Sequence, residues 1–163
     1  MIVETYRRVI VRDLRALAEE LRAYEDEAAI WLAPPGVPNS TGTLALHLVG
    51  NLRSFIGAEL GETGYVRDRD HEFAARDVAR EELVEGIEEA IAAVEKGLTT
   101  ISDQDLERDF PVSFKGETVS TGLFLTHLVA HLAYHLGQID YHRRLVTGQT
   151  DGVGAVSIRA LLD

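Results

Sequence analysis

Cysteine is absent from the 163 residues. That excludes disulfides, thiolate metal ligands and a cysteine nucleophile, so any thiol chemistry needs a thiol from outside the chain. Long apolar runs are also missing. Charge interrupts every hydrophobic stretch before the roughly 20 residues of a membrane-crossing helix. The N-terminal MIVETYRRVIVRDLR has no uninterrupted apolar core of the secretory kind, so a cytoplasmic protein with no membrane partner is expected. Positive charge is in deficit, with 16 Lys and Arg against 27 Asp and Glu, a formal net charge of −11. Such a field repels phosphate backbones and argues against a nucleic-acid partner. Proline is scarce, and three of the four crowd into positions 34–38.

What remains is 45% hydrophobic and 26% charged, the composition of a globular protein long enough for a real core. A single domain over residues 1–163 is expected. Four segments carry helical periodicity. Val3, Tyr6, Ile10, Leu14, Leu17, Leu21, Tyr24, Ala28 and Trp31 recur at threes and fours, which predicts a first helix from about Ile2 to Leu32, ended by the prolines. Ser40 or Thr41 can cap a second helix, with Leu44, Leu48, Leu52, Phe55, Ile56 and Leu60 on its buried face and Gly61 and Gly64 near its end. A long charged connection follows, which carries Tyr65, Val66 and Phe73 and is expected to be an ordered crossing loop with room for a short helical piece. Asp77 is placed as the cap of a third helix with a stripe from Val84 to Ile101. Phe110, Val112 and Phe114 alternate before Lys115-Gly116, which predicts a small hairpin. Ser120 or Thr121 opens a fourth helix that runs to Thr147 and stops at Gly148, and VSIRALLD suggests a last helical turn. The fold class is therefore all-α: a four-helix bundle with a long crossover between helices two and three.

Three of the six histidines lie in HLVAHLAYHLGQI, four residues apart, inside the fourth helix. Residues at that spacing stack nearly above one another. His127, His131 and His135 span roughly 12 Å of helix axis, too far for all three to reach one ion through bonds of about 2.0–2.1 Å. One adjacent pair can chelate, and the third ligand must come from another helix. His47 is the histidine on the buried face of a different helix, whereas His71 sits in the charged connection and His142 lies too far along. Three imidazoles leave coordination positions open for water or substrate, the pattern of a catalytic rather than a closed structural site. Zinc or nickel heads the choice of ion, with iron, manganese and cobalt as alternatives.

These residues resemble the DinB/YfiT-like superfamily. HLVAHLAYHLGQI matches its last helix, a His-x3-His pair followed by x-Gly-Gln-Ile, and LALHLVGNLR matches its other metal-bearing segment. The resemblance covers nearly the whole chain. It implies a four-helix bundle holding a divalent metal at one end through His47, His131 and His135, with His127 beside the site. Gly137 would let another helix approach, and Gln138 would hydrogen-bond near the metal. One branch of the superfamily also carries a stretch like HLVGNLRSFIG followed by RDRDHEF. Here Asn51, Arg53, Arg67, Asp68, Arg69, Asp70, Glu72 and Phe73 match it, and Arg–carboxylate pairs among them could pin the crossover over the cleft.

The resemblance further implies a thiol S-transferase. A cation lowers the pKa of an external low-molecular-weight thiol, such as bacillithiol or mycothiol, and the thiolate attacks an electrophile held in the cleft. Arg143 and Arg144 would contact an anionic thiol cofactor; as last-turn cations they also suit the helix dipole. Metal-assisted hydrolysis is the second reading, and it needs a general base, for which Asp140 is a weak candidate. A non-catalytic metal-binding module of stress response or interaction is the third. Pairing through an apolar helix face, common in the superfamily, predicts a homodimer.

Overall fold

A computed structural model describes residues 1–162. Its helices are α1 (Ile2–Arg22), α2 (Thr41–Leu52), α3 (Arg69–Ala74), α4 (Arg80–Thr99) and α5 (Thr121–Thr147), and no strand occurs among the described residues. Short 3-10 turns occupy Glu27–Trp31, Asp103–Glu107 and Arg159–Leu161, the last being the turn predicted in the tail. The four long helices enclose one core, with α1 and α2 each packed against α4 and α5. Tyr6 meets Gly122 and Thr126 near the start of α5, and Glu20 meets Arg143 near its end, so α1 and α5 run parallel.

The first helix ends at Arg22, nine residues before its apolar stripe does at Trp31 (31 − 22 = 9). Tyr24 turns inward, where its hydroxyl lies 2.7 Å from both Thr41 Oγ1 and His142 Nδ1. Asp26 then caps the 3-10 turn by accepting from the Ala28 amide. Trp31 lies flat on α2 at Gly42, where an added Cβ would sit 2.7 Å from the indole. The stripe is real, but its last third belongs to a turn rather than to the helix.

Ser40 caps α2 by accepting from the Thr43 amide at 3.2 Å. Beyond Leu52 the helix widens into a π turn, Arg53–Ala58. The crossover then carries α3, capped by Asp68 through the His71 amide. The third long helix starts at Arg80, not at Asp77. Asp77 has φ of 55°, and the Arg80 amide donates to Glu27 Oε1 at 2.7 Å instead. The hairpin reduces to two isolated bridges, Asp109 with Ser120 and Phe114 with Glu117, around a left-handed Lys115-Gly116 turn. Phe110 is buried against Phe124, 4.2 Å between ring centroids, and its amide donates across the turn to the Val119 carbonyl at 2.8 Å.

Candidate metal centre

His47 enters from the middle of α2, and His131 and His135 from the middle of α5, where the two helices pack side by side. His47 is 8% exposed, and the two α5 histidines are half-buried. Their Nε2 atoms converge: His47 to His131 is 3.3 Å, and His135 to His131 is 3.2 Å. One ligand atom from each lies within 4.8 Å of the others. Bonds of about 2.0–2.1 Å at tetrahedral angles put neighbouring nitrogens about 3.3 Å apart, so the donor set fits a small divalent ion. Burial pushes the His47 imidazole below its ordinary pKa. Burial and the neighbouring His135, His47 and His127 push His131 down to about 4. Both rings are therefore neutral near pH 7, the form in which imidazole binds a metal.

The outer nitrogens are also occupied. His135 Nδ1 donates to Gln138 Oε1 at 2.7 Å, and His47 Nδ1 lies 3.1 Å from Glu72 Oε2. Such partners orient metal-binding imidazoles in many proteins. With protons on both Nδ1 atoms, His47 and His135 present lone pairs to the centre. A His131 N–H can satisfy one of the two but not both. A cation satisfies all three.

His127 lies one turn before His131, with ring centroids 5.8 Å apart; it is exposed and has no hydrogen bond among the described residues. Phe124 separates it from the aromatic cluster of Phe55, Phe110 and Phe114. On the other side of the centre a cleft of about 330 Å³ begins at Gln138, lined by Val37, Pro38, Leu44, Tyr141 and Leu145. Gly137 faces open space, with nothing within 4 Å of an added Cβ, so no helix of the same chain approaches there.

Arg143 and Arg144 lie elsewhere and are spoken for. Arg143 is 1% exposed and donates through Nε to Glu20 Oε2 at 2.6 Å, and further to Gln149, Asp140 and the Asp151 carbonyl. Arg144 donates to Asp140 and to the Thr150 carbonyl. They tie the tail to α5, and four of the five N–H groups of the buried Arg143 guanidinium are engaged there. Asp140 is engaged by both arginines. Of the crossover residues, Arg67, Glu72 and Phe73 reach the centre, Phe73 lying 5.1 Å from the His47 ring. Arg53 instead pairs with Glu89 and covers Tyr65, and Asp68 serves as a cap. The specific link from Glu72 to His47 was not legible in the sequence, since one buried carboxylate in a charged run looks like its exposed neighbours.

The fold and the centre define a class, an all-helical protein with three convergent histidines between two helices. A family model described as "Protein of unknown function (DUF1572)" matches residues 3–158, and the chain belongs to that DinB-like family. Among solved structures it is similar to a DinB-like protein from Bacillus cereus, with a TM-score of 0.70 and 20% identity over 92% of this chain and 96% of that one. No curated protein matches.

Proposed function

We propose that the protein is a divalent-metal-dependent enzyme of the thiol S-transferase type, working as a homodimer. The observation that carries the metal is the convergence of three histidines, with His131 Nε2 at tetrahedral ligand spacing from both His47 Nε2 and His135 Nε2 and the outer nitrogens of those two already hydrogen-bonded. A divalent ion held there supplies the positive charge that favours thiolate over thiol. His127 is free to take the thiol proton on a ring nitrogen. The sulfur then bonds to an electrophilic carbon as the leaving group departs with its electron pair. The cleft past Gln138 is walled largely by apolar side chains and can hold the body of that electrophile.

Thiol transfer is placed before hydrolysis on the likeness to the DinB-like family; two carboxylate candidates for activating a water are engaged elsewhere, while His127 would serve a water as well as a thiol. Glu72 is committed to Arg67 and His47, and Asp140 to Arg143 and Arg144. Elemental analysis of untagged protein tests the metal. One ion per chain is expected, and its loss in both His47→Ala and His135→Ala; full retention in both ends the reading. Incubation of loaded protein with bacillithiol or mycothiol and a chromogenic electrophile tests the reaction. Turnover without thiol moves the assignment to hydrolysis, and no turnover with any thiol leaves a binding module.

A further inference from the structure

The crossover places one carboxylate where it can decide which nitrogen of His47 carries the proton. Glu72 is 4% exposed and lies in α3, outside the four long helices. Arg67 grips it in a fork, Nε to Oε1 at 2.7 Å and Nη2 to Oε2 at 2.8 Å. The remaining capacity of Oε2 is directed at His47 Nδ1, 3.1 Å away. Arg67 Nη2 also lies 3.3 Å from that nitrogen and has a second N–H that would favour a lone pair there; the carboxylate oxygen is the nearer of the two neighbours, at 3.1 Å. A lone pair on Nδ1 would face a carboxylate oxygen and be repelled; an N–H there is attracted, as a charge-assisted bond. α2 has cleared the space for this. Gly50, one turn after His47 (50 − 47 = 3), touches the carboxylate so closely that an added Cβ would lie 2.0 Å from Glu72 Oε1.

We infer that Glu72 is a positioning residue: by accepting from Nδ1–H it holds His47 in the tautomer whose Nε2 lone pair faces the centre. The crossover thus contributes to ligand basicity and orientation without supplying a ligand. Gly50 is the seat for the carboxylate, and Arg67 is the clamp that keeps it aimed. The inference rests on the metal reading for its purpose, but the tautomer itself exists without any ion.

That separation supplies the test. Long-range ¹H–¹⁵N correlation spectra of the metal-free protein report the protonated nitrogen of each histidine. In the unsubstituted protein His47 is expected as the Nδ1–H tautomer, whereas free imidazole side chains favour Nε2–H. Glu72→Ala and Gly50→Ala should both shift His47 toward Nε2–H, the second with Glu72 still present but displaced. Zinc affinity, measured by competition with a chelator, should fall about 10–100-fold in both. An unsubstituted protein with His47 as Nε2–H overturns the inference with no variant needed. So does a folded Glu72→Ala protein that keeps both the tautomer and the zinc affinity. Failure of the unsubstituted protein to bind zinc, with the Nδ1–H tautomer intact, instead removes the metal reading and leaves the role of Glu72 standing.

Discussion

At the residue scale, the Arg143 guanidinium and the Glu20 carboxylate form one buried pair, 2.6 Å apart. Helix geometry narrowed the histidines to His47 with one adjacent pair of the three on α5, the family resemblance chose His131 and His135, and those three converge. A last-turn arginine reads the same whether it points to water or to a partner 123 residues away, and Arg143 is the latter case. Burial pushes the Glu20 carboxyl up while Arg143 pulls it down, and Glu20 Oε1 has no partner of its own. Arg143→Ala therefore strands a buried acid, and urea denaturation should show a loss of about 3–5 kcal/mol, with zinc content unchanged. His142 offers a second measurement. Its Nε2–H donates to the Leu32 carbonyl, Nδ1 accepts from the Tyr24 or Thr41 hydroxyl, and burial lowers its pKa. Because the folded value lies below the unfolded one, near 6.5, the unfolded chain takes up the proton first as pH falls. Stability is undiminished above that value and is lost below it, by at most about 1.4 kcal/mol per pH unit for each such group. In metal-free protein His47 and His131 add to the same trend. His142→Gln should be less stable at pH 7.5 and show a shallower decline from pH 7 to pH 5; an unchanged slope would count against the assignment.

At the scale of elements, the stripes located the helices but not all their ends. Nothing in Tyr24, Ala28 and Trp31 distinguishes a continuing helix from a turn that buries the same side chains, because the difference lies in Gly42 and Thr41 on another element. The π turn was equally illegible, since it depends on α4. Gly97 meets Ile56 there so closely that an added Cβ would fall 2.2 Å from the Ile56 carbonyl oxygen. Backbone cannot yield as a flexible side chain can. Gly97→Ala is expected to cost about 1–3 kcal/mol by overpacking, read as a lower thermal midpoint. A midpoint equal to that of the parent would mean that α4 can move away freely.

At the scale of the whole molecule, the helical class followed from periodicity, while the pairing of helices did not, because a long crossover permits several arrangements. The outward side of α5 bears on assembly. Leu123, Ala130, Tyr134 and Gly137 are exposed along it, with Tyr141 and Leu145 of the cleft at its end, and no Asp, Glu, Lys or Arg is among the exposed residues of α5 from 123 to 145. In a chain of net charge −11 such a face suits a second copy of itself better than water. Sedimentation should find a dimer, and Tyr134→Glu with Tyr141→Glu should give a monomer of unchanged helicity. A parent protein that is monomeric at high concentration disposes of the pairing.

The parallel setting of α1 and α5 has a consequence for how the chain comes off the ribosome. The helix made first packs chiefly on the third and fourth long helices, so its apolar side emerges long before the surfaces that cover it. Until synthesis reaches the end of α5, the part of that side which α5 covers has only solvent or a chaperone to meet. Nascent chains stalled just after α4 should therefore be held by chaperones, and release should follow once Thr147 has cleared the exit tunnel.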